Sequence, residues 1–275
     1  MIANPWIAGL FAVFLWWFST GAILWVVRRA DNQTPDGHVM TAILAMPVLF
    51  AGVIGLLASL PDPSAGGSWI GFVAAIAIWG WIELVFLSGL VLGPNRRPCP
   101  ANVTPSERFW KAWGAVAYHE LLLVSALAGI AILSQGAAND LALWTFAVLF
   151  VARIFAKLNI FFGVPRINTE LLSEPLSHLP SYFRIGPSSR IYPVTLALLA
   201  CATGAWLVLL AETGDVAFAF LAAITALALI EHALMVLPLP EERLWQWMIP
   251  AKIRTTPSIA RVAAPKLPAE EPHGL

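Results

Sequence analysis

Seven apolar runs can be drawn along the chain, and every Lys and Arg outside them falls on one side of the resulting map. The runs are 5–27, 39–60, 69–92, 112–134, 141–163, 191–211 and 216–238, each near the ~20 residues a bilayer requires. Connections 28–38, 93–111 and 163–190, with the segment after 238, hold the basic residues; only Arg153 and Lys157 lie inside a run, the fifth. The opposite connections, 61–68, 135–140 and 211–215, carry Asp62, Asp140, Glu212 and Asp215 and no Lys or Arg. Short cytoplasmic loops collect Lys and Arg. The sequence therefore predicts an all-α, multi-pass membrane bundle of about seven helices, with the N-terminus outside and the C-terminus in the cytoplasm of a bacterial inner membrane.

Composition agrees with that class. The chain is 59% hydrophobic and 12% charged, against roughly 25% charged in soluble proteins. Lipid offers no hydrogen-bond partner to bare backbone, so the spans must be helices. The formal net charge is zero, and nothing points to nucleic acid. Cys99 falls in a basic loop and Cys201 inside a span, so a disulfide between them is not expected. The first run is too long for a signal-peptide core, lacks a basic leader and is followed by Arg28 and Arg29, as a permanent anchor would be. Trp6, Trp25, Trp69, Trp110, Trp144 and Trp245 fall near predicted interfaces, whereas Trp16, Trp17, Trp79 and Trp81 lie deeper and read as packing residues. Residues 1–250 read as one transmembrane domain and 251–275 as a flexible cytoplasmic tail rich in proline. Segment 93–111 is too rich in proline and charge for a buried helix, and 163–190 reads as an ordered loop with short turns.

Ionisable residues inside spans are costly and face the bundle interior. Here they are Glu83 in the third span, His119 and Glu120 in the fourth, Arg153 and Lys157 in the fifth, and Glu231 and His232 in the seventh. Counting inward from the basic side at 1.5 Å per residue places them in one layer, roughly 9–15 Å deep. Arg153 and Lys157 are four apart and share a helix face, whereas the two neighbours in His119–Glu120 and in Glu231–His232 diverge by about 100°. Asn159 lies on another face than Lys157 and suits a bond to a neighbouring span.

Four readings of this layer stand open. The charges could pair and lock helices together. Carboxylates and imidazoles from three helices could bind a metal, although ExxH spacing is absent and two cations would oppose it. His119 or His232 could ligate the central metal of a tetrapyrrole. Arg153 and Lys157 could clamp an anion. No lysine in the seventh span is available for a retinal Schiff base, and no GxSxG, Walker A or HExxH motif occurs. At the level of function the alternatives are a membrane metalloenzyme acting on a pigment or lipid, and a proton-coupled transporter. The transporter is weakened by the lack of a visible repeat and of broken helices in matched halves.

The runs FWKAWGAVAYHELLL at 109–123, ARIFAKLNIFFGVPRINTELL at 152–172 and HLPSYFR at 178–184 resemble the photosynthetic complex assembly proteins of purple bacteria, the PuhE family. The resemblance runs from the first span to the seventh. Tyr118, His119, Glu120, Arg153, Lys157, Asn159, Asn168, Thr169, Glu170, His178 and Arg184 fall on its characteristic segments. It implies an inner-membrane factor that supports assembly of photosynthetic complexes and modulates bacteriochlorophyll supply. The implied partners are photosynthetic complex subunits or bacteriochlorophyll-synthesis enzymes, and bacteriochlorophyll or another tetrapyrrole is the implied ligand. Segment 163–190 would form a lid over the polar layer.

Overall fold

The computed structural model describes residues 2–32, 36–169 and 172–237. Among them it holds eight α-helices: α1 (Pro5–Asp31), α2 (Gly37–Leu44), α3 (Met46–Ser59), α4 (Ala65–Leu87), α5 (Pro105–Leu133), α6 (Leu141–Phe162), α7 (Ile191–Thr213) and α8 (Val216–Leu234). With α2 and α3 taken together, seven of these units are long and apolar enough to cross a membrane. The predicted tail lies outside the described residues.

The span limits move where local chemistry overrides hydropathy. The predicted span 39–60 is two helices meeting at Ala45, because Pro47 enters as an N-terminal residue of α3 and a ring without an N–H suits a helix start. The predicted span 69–92 begins earlier, where Ser64 caps the Gly67 amide, and ends at Leu87. Gly89, at φ +73, closes that end: its amide donates to Phe86 O, and the Leu90 amide reaches back to Val85 O. This is a Schellman turn, which requires a left-handed residue and so favours glycine. The predicted span 112–134 starts seven residues early, since Thr104 and Glu107 form a reciprocal capping box. The end of the loop predicted at 93–111 is thus helix. The first span runs on to Asp31 rather than Val27, with Arg28 and Arg29 in its last turn, where cations complement the helix dipole.

The ends of the helices sort into two faces. Trp69 Nε1 donates to Ile2 O and Asn139 ties to Leu60 O and Asp62 O, so the N-terminus and the acidic connections share one face. On the other face Arg108 binds Phe161 O and Tyr182 O, the Arg166 amide binds Met235 O, and Tyr192 Oη donates to His232 O. The central helix is α4, which packs on α1, α2, α3, α5, α6 and α8. Small residues let helices approach closely: Ala8 and Ala12 of α1 are fully buried in the cluster where Phe72 stacks on Phe220 with centroids 4.4 Å apart. By contrast α7 lies outside, against α8 and α6.

After α4 the chain stays buried at Leu92 and Gly93 and crosses α5 in an unusual way. Leu92 O accepts from the Tyr118 and His119 amides, and the Asn95 amide donates to Gly114 O. An outside carbonyl can reach two successive helix amides only where the helix ladder is opened, a recognised cause of bending. Gly93 makes the approach possible: a Cβ there would lie 2.1 Å from Gly114 O. Irregular backbone at such a depth is tolerated because Leu92 and Gly93 are covered by protein.

Candidate functional site

The opened turn of α5 carries His119 and Glu120 into the bundle. Glu83 on α4 meets Arg153 on α6 at 3.0 Å, and its other oxygen lies 3.6 Å from His119 Nε2. Lys157, one turn beyond Arg153, donates to Glu120. The Phe86 ring sits among them: its centroid lies 4.1 Å from that of His119 and 5.1 Å and 6.0 Å from the Arg153 and Lys157 cations. A cation over an aromatic face is attracted by the ring quadrupole. Five of the seven residues counted to one depth therefore form one network between α4, α5 and α6. Two carboxylates and two cations offset one another within it, which is what buried charge requires.

Glu231 and His232 sit elsewhere. They lie on α8, across a cavity of about 300 Å³ bounded by α1, α4, α6 and α8, whose wall also includes Glu83 and Arg153. Helical phase separates the two neighbours. Glu231 is exposed, whereas His232 is 2% exposed. His232 Nδ1 donates to Ala228 O at 2.7 Å. His119 is fully buried, wedged against Phe86 and Glu83, and does not line that cavity. Among the described residues no three His, Cys, Asp or Glu side chains gather as a metal site needs.

The remaining candidates are spread through the basic face. Asn159 donates to Thr195 Oγ1 at 2.9 Å, joining α6 to α7. Tyr118 is 52% exposed on the outer face of α5. Asn168 is half-buried and Thr169 exposed, while Glu170 lies outside the described residues. Arg184 is exposed and contributes through its backbone, donating to Ile160 O and accepting from Val164 N. His178 is 8% exposed, in a stretch with two short 3₁₀ turns, Glu174–Leu176 and Leu179–Tyr182. This stretch covers the network: Leu176, Leu179 and Tyr182 pack with Phe86, Leu92 and Ala115, and Ser173 binds Leu87 O. Burial holds the His178 imidazole below its usual pKa, with Arg96 adding to the effect and the Pro175 carbonyl opposing it.

Sequence reasoning missed three tethers that hold this cover. Arg108 stacks on Phe161 at 4.3 Å while binding the two backbone carbonyls. Asn95 donates to Lys111 O and Tyr182 Oη, and Tyr182 Oη donates to Arg97 O. Ser181 Oγ accepts from the Cys99 amide. A lone Arg near a capping box, and Asn–Arg–Arg before Pro, were the only signals available in the sequence.

The fold and the network define a multi-pass membrane protein built around buried ion pairs and closed on its basic face by an ordered cover. The chain matches, over residues 2–256, the family described as "Protein of unknown function (DUF3623)", and it belongs to that family. It is 44% identical over 272 residues to an "Uncharacterized 30.4 kDa protein in puhA 5'region" of Rhodobacter capsulatus, covering 98% of this chain and 99% of that protein. Among solved structures, none matches this chain.

Proposed function

We propose that this protein is an inner-membrane factor that supports assembly of photosynthetic complexes and modulates bacteriochlorophyll supply, with its basic face in the cytoplasm. The observation that carries this reading is the relative's name, which sets it in the puhA 5' region, at 44% identity over nearly the whole of both chains; the photosynthetic role itself comes from the resemblance of segments 109–123, 152–172 and 178–184. The geometry supports a binding role. Glu83, Glu120, Arg153 and Lys157 are engaged with one another, so the network acts as a frame. The cover around 172–184 and the exposed face of α5 with Tyr118 then form the surface offered to a complex subunit or a pigment enzyme. A tetrapyrrole held by His119 is not supported, since the ring is enclosed by Phe86 and Glu83.

Deleting the gene in a phototroph tests the reading. Assembled photosynthetic complexes, or bacteriochlorophyll content, should fall under phototrophic growth while respiratory growth stays normal. Unchanged pigment and complexes would sink the proposed role and leave the fold untouched.

A further inference from the structure

The start of α5 stands clear of the bilayer core, and three unpaired cations gather at its level. The helix runs 29 residues, about 43 Å at 1.5 Å per residue, against a hydrocarbon core of about 30 Å. Its apolar run begins at 112, so the surplus lies on the basic side and Lys111 sits at headgroup level. The connection after α4 is pinned to that level. The Asn95 amide donates to Gly114 O, the Asn95 side chain donates to Lys111 O and Tyr182 Oη, and Tyr182 Oη donates in turn to Arg97 O. Arg96 and Arg97 follow Asn95 directly, so their Cα atoms lie within about 4 and 8 Å of its own. Arg96, Arg97 and Lys111 are exposed, and none forms an ion pair among the described residues. Glu107, the nearest carboxylate along α5, is held by Thr104 instead.

The same face of α5 carries a second polar group further in. Tyr118 is seven residues beyond Lys111, about two turns deeper and about 20° off in phase. It is 52% exposed, and its hydroxyl has no hydrogen-bond partner among the described residues. The Cα–Cβ bonds of a helix tilt toward its N-terminus, which directs the phenol back toward headgroup level. Leu121 and Ile132, exposed on the same side of the helix, continue the face as apolar surface. Cations, then a hydroxyl donor, then apolar surface match the order of phosphate, ester carbonyl and acyl chain in a phospholipid. Three positive charges held together exceed what one phosphodiester neutralises and suit a headgroup with two. We propose that this face of α5 binds a cardiolipin molecule, its phosphates on Arg96, Arg97 and Lys111 and an ester carbonyl on Tyr118 Oη. Basic sites beside membrane helices on the cytoplasmic side are where such headgroups dock. Part of this face is the surface assigned above to partner binding, but the lipid site does not rest on that role: lipid binding by the purified chain is read without pigment or complexes.

The test is native mass spectrometry of the full chain, delipidated in detergent and titrated with tetraoleoyl cardiolipin, dioleoyl phosphatidylglycerol or dioleoyl phosphatidylcholine. Wild-type protein should saturate with one cardiolipin, bind phosphatidylglycerol more weakly and ignore phosphatidylcholine. Arg96→Gln, Arg97→Gln and Lys111→Gln combined should weaken cardiolipin binding on the order of a hundredfold, at about fivefold per cation. All three positions are exposed, and the bond from Tyr182 to Arg97 O is retained. Tyr118→Phe removes one neutral hydrogen bond and should weaken binding about threefold; it leaves every charge in place and keeps the test decisive if the triple variant fails to fold. Arg29→Gln with Arg190→Gln removes exposed basic charge at the end of α1 and ahead of α7 and should bind as wild type. The proposal is overturned by a comparable loss per charge in that control, by phosphatidylglycerol binding as tightly as cardiolipin, or by no saturable binding in the wild type. Poly-glutamate bound by the wild type and lost in the triple variant, with no cardiolipin binding, would give the cations to an acidic protein surface and overturn it as well.

Discussion

Glu83 meets Arg153 with one oxygen and faces His119 with the other, so Glu83→Gln leaves a guanidinium inside the bundle without its counter-charge. Stranding one partner of a buried pair costs about 3–5 kcal/mol. Arg153 and Lys157 keep 26% and 28% of their side chains accessible, so Glu83→Gln and Glu120→Gln should both fall at the lower end, about 3 kcal/mol. Both variants should lose membrane abundance and melt earlier in detergent, and Glu120→Gln combined with Lys157→Met should recover part of the loss. Glu231→Gln, at an exposed position, should stay close to wild type; an equal loss there would show that burial is not the deciding term. This convergence was legible in the sequence because depth follows from counting along spans of known direction. Phase was less legible: adjacent residues diverge by about 100°, and nothing in Glu231–His232 alone says which one turns inward. His178 allows a pH test. Its imidazole is held below the usual value by burial, so opening of the cover favours proton uptake. Stability of the cover is therefore full above the ordinary imidazole range and is lost as pH falls below about 6.5. With the intrinsic pH dependence of amide exchange divided out, protection at 172–184 should fall between pH 7 and pH 5, and His178→Gln should remove that fall.

The elements depart from the hydropathy map at their ends, where single residues outweigh averaged apolarity. Pro47, Ser64, Gly89 and Thr104 each set a boundary through a specific hydrogen bond or backbone angle, and an averaging window blurs such signals. Thr104–Glu107 is a capping box readable from spacing. The opening of α5 was not readable, because it depends on Leu92 reaching the amides of Tyr118 and His119 and on Asn95 reaching Gly114 O, contacts remote in sequence. Gly93 is the residue on which this crossing depends. Gly93→Ala places a methyl 2.1 Å from Gly114 O, against backbone that cannot swing aside. The segment must then withdraw, taking with it the bonds from Leu92 O to the Tyr118 and His119 amides. The expected cost is about 1–3 kcal/mol, as for other overpacked sites, with the His119–Glu120 turn displaced from Glu83 and Lys157. Thermal unfolding in detergent measures the first effect. The second appears as faster hydrogen exchange at 117–120, and normal exchange there would show that α5 holds its shape unaided.

At the scale of the whole molecule the two faces differ in charge and in finish. The acidic face is closed by short capped connections, such as Asp62 bonded to the Ser64 amide and Asp215 to that of Ala217. The basic face carries the long crossing segment, the two 3₁₀ turns and the carbonyl clamp made by Arg108. Seven spans were legible because each run exceeds the bilayer requirement, and because helices that alternate in direction must sort their connections in turn. Hydrogen bonds now join connections of the same predicted side, Asn139 to Asp62 on one and Arg166 to Met235 on the other. What orients the bundle is the basic asymmetry alone, since Lys and Arg in short loops resist translocation. Reporter fusions after Asp62, Asp140 and Asp215 should be active only with a periplasmic reporter. Fusions after Arg97, Ser177 and Pro257 should be active only with a cytoplasmic one. Moving charge should move the result: adding three lysines to the 135–140 connection, beside Asp140, sets a second basic loop against Arg96, Arg97, Arg108 and Lys111. It should lower periplasmic activity of the Asp140 fusion. A fully reversed pattern in the unaltered chain would place the cover and its Arg108 clamp outside the cell, and with them the surface assigned to partner binding.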